Sequence, residues 1–149
     1  MDTEKILKTN KPLPENKKLV INMMLATTKA ITLMADALKP FGISNQQFNV
    51  LRILRGQNGK PANLNTIQER MVNKMSNTTR LVDKLLEKNL VDRCVCEENR
   101  RKVEIVITGN GLELLKELDP IVEEVENKFV KNLSFEDIEQ LNILLEKIR

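Results

Sequence analysis

Histidine, tryptophan and tyrosine do not occur in this chain, and phenylalanine occurs four times in 149 residues. Without histidine there is no imidazole metal ligand, no Ser-His or Cys-His nucleophile pair, and no side chain that titrates near neutrality without perturbation. So few aromatic rings leave no stacking platform for single-stranded nucleic acid. Two cysteines, Cys94 and Cys96, are too few for a disulfide framework. As i and i+2 neighbours on a strand-like segment they point to one face, with Cα atoms roughly 6.5 Å apart, which is poor for bridging. They read as small apolar strand residues. Paired catalytic carboxylates and a glycine-rich phosphate loop are missing too, so no enzyme, cofactor or metal site is expected. Residues 1–18 lack the apolar run of a secretory signal, and no stretch of 18 residues is free of charge. Neither a leader nor a membrane span is expected, and a cytoplasmic location follows as the default.

The charge that is present is unevenly placed. The net charge is +3, yet residues 1–69 carry +5, residues 70–102 carry +4 and residues 103–149 carry −6. A basic centre beside an acidic C-terminal segment suggests a localised surface for a polyanion. The length allows one domain with a substantial core.

Residues 1–18, with Pro12 and Pro14, read as a flexible N-terminal arm. From Leu19 to Leu38 the pattern is helical, but apolar residues cover more than one stripe. Such a helix is buried on more than one side, and in a small chain a second subunit can supply that burial. Ser44-Asn-Gln-Gln47 fits a capping box ahead of the Phe48, Leu51, Leu54 stripe. Gly56 and Gly59 end that helix. A short helix over residues 64–71, capped by Asn63 or Asn65, precedes the stretch MSNTTRLVDKLLEKN, in which angular spacing at about 100° per residue predicts a second helix. On it Met75, Thr78, Leu81, Val82, Leu85 and Leu86 face inward. Ser76, Asn77, Arg80 and Lys84 face outward, with Thr79 at the margin and Asn73 as the cap. Asn89 suits the left-handed residue that closes the helix. Short helix, turn and helix is helix-turn-helix spacing.

Residues 90–108 turn strand-like, with the charged run Glu97-Glu98-Asn99-Arg100-Arg101-Lys102 as a hairpin tip. Thr108 can cap the next helix, in which Pro120 should produce a kink. Ser134-Phe-Glu-Asp137 starts the last one. The fold class that follows is mainly α with a small β-hairpin wing.

The run SNTTRLVDKLLEKNLVDR, then NRRKVEIVIT and Gly111, resembles the MarR family of bacterial transcriptional regulators, over about residues 19–149. The resemblance implies a single domain at 19–149. It has a winged helix at about 44–108 and dimerisation helices at about 19–39 and 109–149. It implies a homodimer on double-stranded DNA at a pseudo-palindromic operator, with a small amphipathic or aromatic effector. The recognition helix would enter the major groove, and a wing-tip arginine the minor groove. The candidate DNA-binding residues are therefore Ser76, Asn77, Thr79, Arg80 and Lys84 on the helix, with Arg100 and Arg101 on the wing. Short hydrogen-bonding side chains suit base edges and phosphates, and arginine suits narrow minor grooves. The sequence departs from the family pattern at several points. Asn99 stands where an aspartate is usual, Gln68 where alanine is usual, and the turn Met71-Val-Asn-Lys74 lacks the common glycine. Two other readings stay open on the residues: a winged-helix protein-interaction module without DNA binding, and a redox-responsive regulator using Cys94 and Cys96. Arg93 could contact phosphate or hold the wing.

Overall fold

The computed structural model describes residues 3–95, 97–99 and 101–149. Among these residues seven α-helices and a small sheet follow one another as α1 (Thr3–Ile6), α2 (Glu15–Leu38), α3 (Asn45–Arg55), β1 (Ala62–Asn63), α4 (Leu64–Arg70), α5 (Thr78–Glu87), β2 (Val91–Val95), β3 (Val103–Ile107), α6 (Gly109–Val130) and α7 (Phe135–Glu146). A 3-10 turn, Lys39–Phe41, closes α2.

Local chemistry sets most of the boundaries. Ser44 Oγ accepts from Gln47 N at 3.1 Å while Gln47 Oε1 accepts from Ser44 N at 2.9 Å, so α3 starts in a complete capping box. Ser134 and Asp137 make the same reciprocal pair at the start of α7. Asn63 caps α4, Thr108 caps α6, and Asn89 takes the left-handed conformation after α5 at φ 56°. The helix α6 runs through Pro120 without a break in its assigned span.

The core lies under the helix-turn-helix. Phe48, Val50, Leu51 and Leu54 of α3 pack with Ile67, Met71, Val82, Leu85, Val91 and Ile105, and α6 covers them with Leu115, Leu118 and Val122. The sheet order is β1-β3-β2, all antiparallel, with Val91 opposite Ile107, Val95 opposite Val103 and Ala62 opposite Ile105. The hairpin thus gains a third strand that the sequence reading lacked. Its two residues, Ala62 and Asn63, become a strand only through pairing with β3.

Two other expectations change. Within the expected arm, residues 3–18 carry contacts that the sequence alone does not suggest: Thr3 is buried and its hydroxyl donates to Asn22 Oδ1 at 2.7 Å, Glu4 pairs with Lys18 at 3.2 Å, and α2 begins at Glu15 rather than Leu19. Moreover α2, continued to Phe41, is long and apolar enough by length and composition alone to cross a membrane. Of its own residues only Leu38 is buried, while Leu19, Val20, Met24 and Ile31 stand exposed.

Gly111 marks where α6 meets the wing base. A Cβ there would lie 2.3 Å from the Leu90 carbonyl oxygen and 2.6 Å from Ile107. Beside it the Thr108 hydroxyl donates to the Asn89 carbonyl at 2.8 Å and accepts from Gly111 N at 3.1 Å, so it joins the end of α5 to the start of α6.

Candidate nucleic-acid interface

The recognition helix is shorter than the angular reading predicts. α5 starts at Thr78, and its cap is Asn77, whose side-chain oxygen accepts from Arg80 N at 3.1 Å. Asn73, the expected cap, instead accepts from Met75 N at 3.0 Å and folds the turn on itself. Two side chains are displaced as a result. Met75 is not inward but 92% exposed, and Ser76 lies in the turn, half-buried, with its hydroxyl oxygen enclosed and without a hydrogen-bond partner among the described residues. Ser76 therefore leaves the outward set. Thr78 is buried at 6% exposure, as its angle predicts, along with Val82 and Leu85.

Asn77, Thr79, Arg80 and Lys84 share the exposed side of α5 and the residue before it. Arg80 has no ion-pair partner among the described residues, whereas Lys84 lies 3.4 Å from Glu87. A cleft of about 470 Å³ opens beside them between α5 and the start of α3, where Gln46, Gln47 and Asn73 face Arg80 and Lys84. Sequence reading missed Gln46. It sits in the first turn of α3, and nothing local marks its approach to α5.

Arg93 resolves as a wing holder: its guanidinium meets Asp83 of α5 at 2.6 Å. The pair fastens β2 to the recognition helix and takes Asp83, the carboxylate nearest in sequence to Arg80 and Lys84, partly out of play. Lys88 likewise donates to the Gly42 carbonyl at 2.6 Å, a structural use of the cation that follows α5. At the wing tip Asn99 Oδ1 accepts from Arg101 N at 3.1 Å, so the asparagine closes an Asx turn there. Arg101 is exposed and unpaired among the described residues. Arg100 and Cys96 lie outside the described residues. Cys94 is half-buried on β2, its thiol 3.5 Å from the Glu104 carbonyl oxygen.

At the C-terminal end of α3, Arg55 forks onto Asp119 of α6 at 2.8 and 3.0 Å. That hydrogen-bonded guanidinium holds the Asp119 carboxyl below the usual carboxylate range, with the Arg52 charge adding to the effect. A second cavity, about 340 Å³, lies between α2, α3 and the turn before α5. Ile31, Met34 and Phe48 supply its apolar wall. Arg52, 5.7 Å above the Phe48 ring, and Asn45, whose buried Oδ1 has no partner among the described residues, supply its polar groups. Among the described residues no group of histidine, cysteine, aspartate or glutamate is arranged to hold a metal.

Comparison with known proteins agrees with this geometry. Residues 43–103 match the model of the MarR family. The HTH-type transcriptional repressor IacR of Pseudomonas putida is 27% identical over 115 residues, covering 77% of this chain and 68% of the repressor. A cysteine-to-serine mutant of MarR from E. coli, solved in complex with operator DNA, has a TM-score of 0.80 at 23% identity and covers 90% of this chain and 95% of its own. BpsR of Bordetella bronchiseptica, whose DNA binding is regulated by 6-hydroxynicotinic acid, has a TM-score of 0.81 at 19% identity, covering 93% and 97%. Both structural likenesses establish the winged helix fold.

Proposed function

We propose that this chain is a transcriptional regulator of the MarR type, a cytoplasmic homodimer that binds pseudo-palindromic double-stranded DNA and releases it when a small amphipathic molecule binds. The observation that carries the reading is the exposed first turn of α5. Asn77, Thr79 and the unpaired Arg80 are presented together there, with Lys84 one turn on. Asn77, Thr79 and Arg80 meet base edges, Arg80 by the two-pronged contact to guanine that a guanidinium favours. Lys84 neutralises phosphate, and the wing arginines, Arg101 first, enter the minor groove. Ser76, its hydroxyl enclosed, makes no direct contact in this reading.

The unburied apolar sides of α2 and α7, with Leu19, Val20, Met24, Leu141, Ile143 and Leu144, support a second copy as their cover. Lys29 and Asp36 within α2 favour that cover over lipid. Two-fold pairing sets half-sites about one helical turn apart. For the effector, the 340 Å³ cavity offers an aromatic ring the Phe48 and Met34 wall and an acid group the Arg52 cation.

The test is duplex binding, using the sequences that the purified protein selects from its own genome and a random duplex of equal length. Arg80→Ala lowers affinity for selected DNA by about 1–3 kcal/mol and relaxes the preference, while Lys84→Ala weakens both duplexes alike and lowers the salt slope by about one. Equal binding by Arg80→Ala and the parent on both duplexes would overturn the assignment.

A further inference from the structure

The turn from Met71 to Asn77 has neither glycine nor proline, yet it must reverse the chain between α4 and α5. Side chains hold it. Asn49 of α3 accepts from Val72 N at 2.9 Å, Asn73 accepts from Met75 N, and the Lys74 ammonium donates to the Glu69 carbonyl at the end of α4. Gln68 completes the set and differs from the others. Its Nε2 donates to the Lys74 carbonyl at 2.8 Å, while its Oε1 accepts from the Thr78 hydroxyl. Both ends of the amide are used. Reversing it would set Oε1 against the Lys74 carbonyl oxygen, so the network fixes its orientation. Of these side chains Gln68 alone reaches α5, and it does so at the first residue of the helix, which is buried.

Asn77 and Thr79 flank Thr78 directly, and Arg80 follows. The pose of all three depends on where Thr78 is held. We infer that Gln68 is a positioning residue that fixes the first turn of α5 at the depth and rotation needed to read base edges, and so determines specificity rather than overall affinity. The inference rests on the duplex-binding reading above. Asn77 and Thr79 have short side chains that cannot follow a shifted helix back to a base. Lys84 and Arg101 have long, rotatable ones that still find phosphate. Loss of the clamp therefore lowers selected-duplex binding and leaves random-duplex binding in place.

The experiment compares full-length parent, Gln68→Met, Thr78→Val and the double variant. Gln68→Met keeps the length of the side chain and removes both hydrogen bonds. The double variant removes both members of the Gln68–Thr78 contact, and the Lys74 carbonyl, on an exposed residue, turns to water, a change that is close to neutral for folding. Three readouts are taken: thermal unfolding, affinity for selected and random duplex, and amide hydrogen exchange of residues 74–80 in the free protein. Expected are a melting temperature for the double variant within a few degrees of the parent's, about a tenfold loss on selected duplex, less than a twofold change on random duplex, and faster exchange at 74–80. Parallel loss on both duplexes, or retained selectivity in the double variant, overturns the inference. Unchanged exchange at 74–80 shows that Gln68 does not hold the turn, whatever the protein binds. Faster exchange in variants of a parent that prefers no duplex sinks the duplex-binding reading, and with it the specificity role, while leaving the turn clamp intact.

Discussion

The helices α2 and α7 are more apolar than α3 and α5, yet they are the less buried pair. In α3 four residues, Phe48, Val50, Leu51 and Leu54, are buried; in α7 none is, and in α2 only Leu38. The difference is arrangement rather than amount. α3 and α5 gather their apolar residues on one stripe that the chain's own sheet and α6 can cover. α2 and α7 spread theirs around the helix, and the chain covers only part of that surface. One region is covered by the chain's own elements, and the other leaves much of its apolar surface exposed.

That contrast can be broken most severely in the winged lobe. Leu85→Ala opens a cavity at a fully buried site and should cost about 2–5 kcal/mol at every protein concentration in denaturant unfolding. Ile143→Ser, on the exposed side of α7, should change little in the folded monomer but weaken self-association, so that its melting temperature falls below the parent's at concentrations where the parent is paired. If sedimentation shows Ile143→Ser and the parent with the same association constant, the two regions do not differ in the way described.

A smaller effect is expected at the wing. Asp83 and Arg93 are each about half exposed, 50% and 54%, so Arg93→Gln should cost no more than about 1 kcal/mol of stability. Hydrogen exchange along β2 should nevertheless quicken, because the strand loses its tie to α5. Unchanged exchange at Val91–Val95 would show that the hairpin pairing with β3 suffices.

The smallest effect lies at the Arg55–Asp119 joint between the lobe and α6. Since the Asp119 carboxyl is held below its ordinary value, the pair stabilises the fold above the unfolded carboxylate pKa of about 4 and loses that contribution as pH falls through the folded value. Solvent screening of this half-exposed pair keeps the gain small. The parent should exceed Asp119→Asn in stability by a constant margin from neutral pH to about pH 5, and the margin should close on further acidification. A margin that grows with acid would show the carboxyl to be raised instead.

What was legible in the sequence is what local rules decide. The caps at Ser44, Asn63, Thr108 and Ser134, the left-handed Asn89 and the inward side of α5 all follow from residues a few positions apart. The start of α5 was misplaced because Asn73 and Asn77 are equally good caps on paper. Choosing Asn77 takes the Gln68–Thr78 contact, ten residues long in sequence. β1, the Arg93–Asp83 tie and the ordering of residues 3–14 against α2 share that origin, since each joins segments that have no common pattern. At the candidate site the exposed set on α5 was readable from angle alone, apart from Ser76 and Met75, which moved with the helix start.

The seat of Gly111 against Leu90 and Ile107 has a mechanical consequence. With no room for even a methyl group, and with Thr108 bonded to both sides, the joint between wing base and α6 has no play. A helix of 22 residues at 1.5 Å per residue is about 33 Å long, so a tilt of only ~5° at one end displaces the other by ~3 Å. Because the seated end of α6 is held at the sheet, a small rotation of the wing base is carried to the far end of the helix as a shift of that size, and a shift of the far end returns to the sheet as a rotation.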